Sequence, residues 1–466
     1  MNFAEVRFWE ILLVTLAVAL GVRAIAVRRE EWRATYDRLA LLVTGLVLLL
    51  AVSLPTFLIY LAVSLGTYAG LALILRLRPR RPVAWLSVLV PLQLGPLLYF
   101  KYADFLANRV LGGHFSSLAH LVIPVGISFY TFQKVAFSVD TLVHKQPLPR
   151  LLDYMNFAGF FPQIVAGPIE RRDSLLPQVE DFRFRWSACD LNAGASWIAL
   201  GLFFKCCLAD NLAGFFDGSS TSNAWAIWTA NLLFGLRIYY DFAGYSLVAL
   251  GLARCLGVTL TLNFASPYCS TSVGEFWRRW HITLSQWFRD YVYLPLGGSR
   301  MQRWWLNILI VFVLSGIWHG AGWNFLAWGS VHGALLIAQR VADRRQLTLG
   351  LFAWPVTMVA VFFSWLAFYE TDASRLCTKI GTLLHPAAYS LANLRAVPQQ
   401  WSAPVQFTIG CFALLTGLTL LLEWRSVARG GEPFSLLRKP PMLVLLVILT
   451  VLLASHEESA FIYFAF

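Results

Sequence analysis

Apolar runs about as long as a lipid bilayer is thick recur along the whole chain. A helix needs about 20 mostly apolar residues to cross the hydrocarbon core, and the first such run extends from Phe8 to Val27. No small-residue cleavage site follows it, so we expect a retained helix rather than a signal peptide. The further candidate segments are Leu39–Val52, Thr56–Leu77, Val83–Tyr99, Leu118–Val135, Asn192–Asp210, Ala224–Tyr240, Asp241–Leu256, Trp305–Trp318, Asn324–Gln339, Leu349–Phe368, Val405–Leu422 and Met442–Ser455.

These runs predict an all-α integral membrane protein, a helical bundle with about 11 to 13 membrane segments that includes re-entrant and interfacial helices. We expect residues 1–466 to form one domain. Of the 466 residues, 58% are hydrophobic and 13% are charged, whereas about 25% of the residues of soluble domains are charged. The chain therefore has too few charged residues to form the surface of a soluble fold of this length. We expect the lipid bilayer to be one of its partners.

The net charge of +12 is explained by topology rather than by a nucleic acid partner, because Lys and Arg lie mostly between the apolar runs. Arginine clusters occupy residues 28–38, 76–81, 340–345 and 425–439. Two predicted spans separate the first cluster from the second, and two separate the third from the fourth. All four can then be cytoplasmic, where Lys and Arg accumulate, and both termini are expected outside. The seven cysteines lack disulfide or metal-binding spacing, so no metal site is predicted.

Polar residues inside apolar segments concentrate between residues 160 and 335. An ionisable side chain in hydrocarbon costs about 2.5–3.5 kcal/mol on insertion scales, so it is usually paired, hydrated or functional. The first block, residues 160–171, carries Gln163 and Glu170 in a stretch that Pro and Gly interrupt. Such backbone is tolerated only beside protein or a water-filled cavity. Residues 154–167 are therefore a candidate re-entrant segment, with Gln163 and Glu170 lining a cavity; a helix that ends at the interface is an equal alternative.

The second block, residues 239–246, places Asp241 among aromatic and small residues. Arg237 lies one helical turn earlier, and opposite charges at this spacing stabilise a helix. We expect Asp241 to line the cavity and to form a structural ion pair with Arg237.

The third block, residues 275–298, alternates charged and aromatic residues too densely for a lipid-facing span. An amphipathic helix in the membrane interface fits this pattern, with Glu275 and Arg279 as partners one turn apart. A basic anchor explains the arginines, but it explains neither His281 nor the two-glycine turn that follows. Arg279 and His281 are therefore candidate site residues.

The fourth block, residues 315–324, contains Trp318, His319 and Asn324. His319 ends an uncharged apolar run between glycines, whose missing side chains let a backbone or a ligand approach closely. Imidazole titrates near neutral pH, which suits the removal of a proton from a hydroxyl. A structural histidine is the alternative, but the glycines and the second histidine favour a catalytic role, with Trp318 and Asn324 lining the site.

Taken in order, these blocks resemble the membrane-bound O-acyltransferase (MBOAT) family, and within it the alginate O-acetyltransferase AlgI-type branch. The resembling stretches are YFKYADF (99–105), PVGISFYTFQ (124–133), FFPQIVAGPIER (160–171), YYDFAGYS (239–246), NFASPY (263–268), EFWRRWHITLSQWFRDYVYLPLGG (275–298), IWHGAGWNFLAWGSVHG (317–333) and the terminal FIYFAF (461–466). The chain departs from the branch at Leu247, where AlgI-type chains usually carry an aspartate, so the local polar pairing differs.

The resemblance implies a helical bundle with a funnel to a catalytic site within residues 99–335. His319 matches the family's invariant histidine and His281 its second polar position. It also implies that acetyl passes from cytoplasmic acetyl-CoA to hydroxyls of an extracellular or periplasmic polysaccharide such as alginate. In this branch a periplasmic acetyl-transfer protein helps to complete the transfer to the polysaccharide. The resemblance also implies a location in the bacterial inner membrane and no tightly bound cofactor. We expect His319 to act as general base on the acceptor hydroxyl, and His281 to orient or polarise the donor carbonyl.

Two other functions fit part of the pattern. D-alanyl transfer to teichoic acid uses the same fold, although the Arg-Arg-Trp-His and Leu-Gly-Gly sequences favour the AlgI-type branch. A non-catalytic polysaccharide exporter or scaffold would line several spans with polar residues, whereas here these residues concentrate in one region.

The predicted orientation can be tested with single cysteines at Arg33 and Arg344 in a variant that lacks the native cysteines. Both positions are expected to react with membrane-permeant thiol reagents and to be protected from impermeant ones in intact cells, because both clusters are predicted to be cytoplasmic. Labelling of either position from outside would contradict this orientation.

Overall fold

Every regular element in the described part of this computed structural model is a helix. The structure describes residues 3–27, 29–113, 121–164, 167–455 and 461–462. The α-helices are α1 (Val6–Ala26), α2 (Glu30–Val52), α3 (Leu54–Leu77), α4 (Leu86–Asp104), α5 (Ile127–Leu142), α6 (Leu151–Ala158), α7 (Phe161–Ile164), α8 (Arg172–Glu180), α9 (Ala188–Leu202), α10 (Asp210–Phe215), α11 (Ala224–Cys255), α12 (Val273–Arg279), α13 (Ile282–Phe288), α14 (Trp304–His319), α15 (Trp323–Arg344), α16 (Ala353–Tyr369), α17 (Ala373–Leu384), α18 (Leu391–Gln399), α19 (Ala403–Ala428) and α20 (Pro440–Leu453).

Several of the sequence predictions fall on positions outside the described residues. They are Arg28 of the first arginine cluster, the start of the predicted Leu118–Val135 segment, Val165 and Ala166 of the first polar block, and residues 463–466 of the terminal motif.

Seven helical stretches of the described chain are long and apolar enough to cross a membrane. They are Val6–Ala26, Glu30–Val52, Leu54–Leu77, Pro82–Val110, Ala188–Phe215, Gly350–Tyr369 and Ala403–Ala428. Two shorter apolar helices are α14 and α20. The prediction of an all-α multi-pass membrane protein is thus confirmed. The other predicted segments form shorter or more polar helices, and the number of 11 to 13 stays a prediction.

The chain packs as two compact units. The first comprises Met1–Ile198 and Tyr245–Leu262, and the second comprises Ala199–Gly244 and Asn263–Phe466. Helices α9 and α11 contribute residues to both. A single-domain architecture for residues 1–466 stays a prediction.

In the first unit, short local signals set where the helices begin. Helix α3 begins where the Ser53 hydroxyl accepts the backbone N–H of Thr56 at 3.2 Å, which satisfies one of the unpaired donors of the first turn. Helix α5 begins after Gly126, whose φ of 75° is readily adopted only by glycine. In the described part of the predicted Leu118–Val135 segment, residues 121–126 are not helical, and the predicted end is wrong because the helix runs from Ile127 to Leu142.

In the second unit, α14 and α15 pack with their backbones in contact. A Cβ atom added at Gly316 would overlap the carbonyl oxygen of Phe325, and one added at Gly329 would overlap that of Phe312. Small residues permit this close approach of helices, which is common in membrane proteins. The glycines flanking His319 in the sequence therefore include one that fixes the crossing of its helix.

The prediction of two separate segments, Ala224–Tyr240 and Asp241–Leu256, is also wrong. The structure has one continuous helix of 32 residues. Asp241 does not interrupt it, because Lys205 lies 2.8 Å from one carboxylate oxygen of Asp241 and 2.8 Å from Asp210. The charge that suggested a boundary is compensated inside the second unit.

A second buried lysine, Lys134 in the first unit, has a different environment. Its ammonium lies 4.7 Å from the ring centroids of Tyr60 and Tyr130, and it donates to the carbonyl oxygen of Tyr130 at 3.4 Å. No carboxylate among the residues that the structure describes pairs with it.

The two lysines are expected to respond oppositely to substitution by Met. Lys205→Met should lower the free energy of unfolding by about 3–5 kcal/mol, because it leaves two buried carboxylates without their cation. Lys134→Met, the matched control, should be neutral or stabilising, because it replaces a buried amine that has no carboxylate partner among the described residues with an apolar side chain of similar length. Thermal unfolding of the purified variants in detergent measures the change in stability of each one. An equal loss of stability in the two variants would contradict the expected difference between the two lysines.

Candidate active site

His281 lies at a break in the third polar block. Helix α12 ends before Trp280, and α13 begins directly after His281, whose φ of 41° is left-handed. This backbone conformation costs a non-glycine residue about 1–3 kcal/mol and persists only where its surroundings determine it. The prediction of one continuous amphipathic helix is therefore wrong: the segment turns at His281, and it buries Phe276 and Trp280 within the second unit because their large apolar rings gain most from burial. Its location in the membrane interface stays a prediction.

The NFASPY stretch holds His281 in this turn. The backbone N–H of Ile282 donates to the carbonyl oxygen of Asn263 at 2.9 Å. The side-chain oxygen of Asn263 accepts from the backbone N–H of Thr283 at 3.2 Å and from its hydroxyl at 3.0 Å, and it lies 3.2 Å from Nδ1 of His281. Burial lowers the pKa of His281 to about 3, so the imidazole is neutral at neutral pH.

His319 ends α14 and lies in the same aromatic cluster as His281. The ring of Trp318 contacts both imidazoles, with centroid distances of 5.7 Å to His281 and 5.0 Å to His319. Trp328 and Phe368 pack edge-on against His319 at 4.8 Å and 5.3 Å. The two histidines are 1% and 2% exposed. The structure therefore brings together three of the predicted site residues.

A third histidine, His332, belongs to this cluster and was not among the predicted site residues. Its ring lies 4.8 Å from that of Trp328, the residue one helical turn earlier on α15. Its Nε2 is 2.8 Å from the hydroxyl oxygen of Ser364. The spacing of Trp328 and His332 on one helix face was the available sequence signal.

Asp241 forms an ion pair, but not the predicted one. Its partner is Lys205, which also binds Asp210, whereas the sequence predicted Arg237. Lys205 belongs to the π-helical stretch Phe203–Ala209, which sequence periodicity does not reveal. A lysine inside an apolar run was the signal that could have identified it.

Asp241 also connects the histidine cluster to residues near the end of the chain. Its second carboxylate oxygen accepts the backbone N–H of Ile462 at 2.7 Å. The adjacent Phe461 packs against Phe242 at 5.6 Å, and Phe242 packs edge-on against His281 at 4.7 Å. One turn of α11 thus positions both a buried charge and an aromatic wall of the cluster.

Arg279 and Asn324 hold the backbone around the cluster. The predicted pair of Glu275 and Arg279 is confirmed at 3.0 Å, and Arg279 also donates to the carbonyl oxygen of Ala265 at 3.0 Å. The amide of Asn324 donates to the carbonyl oxygen of Ala367 at 3.1 Å and so ties the start of α15 to the end of α16. These contacts do not test whether either side chain also binds substrate.

Gln163 and Glu170 lie in the first unit, where both are buried. The Gln163 side-chain oxygen accepts from Gln133 at 3.3 Å, and Glu170 accepts the backbone N–H of Thr261 at 2.6 Å. Burial raises the pKa of Glu170, and the Thr261 hydrogen bonds oppose this increase. The segment around them forms the two short helices α6 and α7. That these side chains line the catalytic cavity, and that the segment is re-entrant, stay predictions.

The family model of the membrane-bound O-acyltransferases matches residues 98–377. The chain belongs to this family. The matched region contains α12 to α16, and with them His281, His319 and His332. The MBOAT resemblance is confirmed.

Curated relatives place the chain near the branch that its motifs resemble. It is 34% identical over 324 residues to a peptidoglycan O-acetyltransferase of Helicobacter pylori, covering 61% of each chain. It is 35% identical over 299 residues to a probable alginate O-acetylase AlgI of Azotobacter vinelandii, covering 61% of this chain and 59% of the relative. A teichoic acid D-alanyltransferase of Bacillus subtilis is 31% identical over 238 residues, 47% of this chain and 59% of the relative. The chain thus spans about three fifths of the length of these relatives.

The left-handed conformation of His281 predicts a specific order of stabilities. His281→Asn should have a higher melting temperature than His281→Val, because both lose the packing of the buried ring but only Asn tolerates positive φ, which a β-branched residue does not. The same two substitutions at exposed His385, where φ is −95°, are the control and should not differ in this way. Equal melting temperatures for His281→Asn and His281→Val would contradict the described turn.

Proposed function

We propose that this protein is an O-acyltransferase that moves acetyl from cytoplasmic acetyl-CoA to hydroxyl groups of a polysaccharide on the other side of the bacterial inner membrane. A periplasmic acetyl-transfer protein completes the delivery, and both chain termini lie outside. The observation that carries the proposal is the pair of buried imidazoles, His281 and His319, packed around Trp318 in a chain of the MBOAT family.

The chemistry follows from these two rings. Acyl transfer to a hydroxyl requires a group that takes its proton and a group that stabilises charge on the carbonyl oxygen. Two imidazoles in one water-poor aromatic cluster can divide these tasks. Holding donor and acceptor in reacting geometry supplies a further large part of the acceleration.

A cavity in the second unit supports the assignment of the donor. It has a volume of about 280 Å³ and its walls include Trp277 and Phe312. Trp277 also packs edge-on against His332 at 4.9 Å, so the cavity borders the histidine cluster. Arg289 and Arg340 line it as well. Apolar walls suit the thioester arm of coenzyme A, and guanidinium groups suit its phosphates.

The names of the relatives support the class of acceptor. Peptidoglycan and alginate both carry sugar hydroxyl groups, and teichoic acid is also a hydroxyl-bearing polymer. Because one relative is a teichoic acid D-alanyltransferase, D-alanine is an alternative acyl group for this chain. That relative matches less of the chain than the two O-acetylating relatives do.

His319→Ala is expected to lower polymer O-acetylation by about 10²–10⁴-fold, because it removes one of the two catalytic imidazoles. Expression and membrane insertion should be unchanged, since the apolar helices stay intact. The assay measures acetyl groups on the exported polymer in cells that lack the native protein and carry each variant at matched abundance. His385→Ala, which alters an exposed histidine, is the control and should acetylate normally.

Two outcomes would contradict the proposal. Normal acetylation by His319→Ala would remove this residue from catalysis, whereas loss of polymer export, with acetylation unchanged on what is exported, would indicate an exporter. Purified protein supplied with radiolabelled acetyl-CoA or with a D-alanyl carrier protein identifies the acyl group, and transfer from the carrier alone would favour D-alanylation.

A further inference from the structure

The orientation of the Asn263 side chain is fixed by a backbone group. A backbone N–H can only donate a hydrogen bond, and that of Thr283 lies 3.2 Å from Oδ1 of Asn263. The atom at this position must therefore be the amide oxygen and not the nitrogen. The hydroxyl of Thr283, 3.0 Å from the same atom, donates to it as well.

This orientation determines which nitrogen of His281 carries the proton. Nδ1 lies 3.2 Å from the Asn263 oxygen, which can only accept, so Nδ1 is the N–H donor. A neutral imidazole has a single N–H, and the hydrogen bond of one nitrogen sets the state of the other. Nε2 of His281 is therefore the nitrogen that carries the lone pair.

A nitrogen with a lone pair can take a proton, but it cannot donate a hydrogen bond to a carbonyl oxygen. We infer that His281 is the proton acceptor of the acyl transfer and that Asn263 is the positioning residue that fixes its tautomer. This assignment rests on the proposed function, and it reverses the roles that the family resemblance implied for the two histidines.

Nε2 of His281 takes the proton of the acceptor hydroxyl while the hydroxyl oxygen attacks the carbonyl carbon of the acyl thioester. The carbon–sulfur bond then breaks with its electron pair on sulfur. The thiolate takes the proton back from Nε2, which yields the free thiol and neutral His281. His319 is left to hydrogen-bond to the carbonyl oxygen, and the Asn263 oxygen opposite Nδ1–H stabilises the transient imidazolium.

The tautomer can be observed without any activity assay. Nitrogen-15 NMR of the membrane-embedded protein with labelled histidine rings, assigned by the loss of one signal pair in His281→Asn, distinguishes a protonated from a bare ring nitrogen. We expect a proton on Nδ1 and a bare Nε2 in the unmodified protein. A proton on Nε2 would overturn the inference even if acetyl transfer is confirmed.

The role of Asn263 is tested by a set of three variants. Asn263→Asp keeps an accepting oxygen and should retain transfer, with Nδ1 still protonated. Asn263→Leu removes that oxygen and should lower kcat about tenfold or more at nearly constant KM for the donor, and the Nδ1 proton signal should change. Thr283→Val removes the hydroxyl that donates to the same oxygen but keeps the oxygen itself. It should leave kcat and the Nδ1 proton signal unchanged. Normal kcat in Asn263→Leu, or loss of the Nδ1 proton in Asn263→Asp, would contradict the positioning role.

Hydroxylamine separates proton removal from carbonyl activation, because it attacks thioesters without first losing a proton to a base. The purified variant His281→Asn should still transfer acetyl from acetyl-CoA to hydroxylamine while losing transfer to the polysaccharide. His319→Ala should lose both. Loss of both reactions in folded His281→Asn would overturn the inference, whereas wild-type protein that acetylates neither acceptor would refute the proposed function and leave the NMR result standing.

Discussion

Asp241 is buried in the second unit, and its ion pair with Lys205 is the contact on which the packing of that unit depends. An unpaired charge in a low-dielectric interior is expensive, yet Asp241 lies in the middle of a continuous helix. With Lys205 beside it, the helix continues without a break. The next residue, Phe242, is then carried to the edge of the His281 ring. The geometry of the imidazole cluster is thus coupled to a charge pair that takes no part in its chemistry.

The cluster itself is assembled from aromatic surfaces rather than from a polar network. Trp318 packs against both His281 and His319, and Trp328 continues the contact to His332. Burial in such packing lowers the pKa of His281 and of His332, so both rings are neutral. Exclusion of water also strengthens any electrostatic interaction that a bound substrate makes there. The hydrogen bonds between His281 and the Asn263 oxygen and between His332 and the Ser364 hydroxyl therefore have a large influence on how these two rings are protonated.

Sequence reasoning predicted the class of fold and the two principal histidines, because the signals for both are local. Apolar run length reveals a membrane helix, and a histidine beside glycines in such a run is conspicuous. Contacts between distant segments were not accessible. The partner of Asp241 lies 36 residues away in a π-helical stretch, and the left-handed turn at His281 depends on Asn263, which precedes it by 18 residues. The density of charges in residues 275–298 indicated an interfacial helix, whereas Phe276, Trp280, Trp287 and Phe288 of that segment are buried.

The glycine contacts between α14 and α15 allow the position of His319 and the lipid-facing surface of the same helices to be determined by different atoms. Because Gly316 and Gly329 bring backbone against backbone, the position of His319 is set by main-chain atoms. The outward side chains of these helices, such as Trp305 and Leu314, take no part in that contact. The lipid-facing surface can therefore change with the thickness or composition of the host bilayer while the imidazole stays in place.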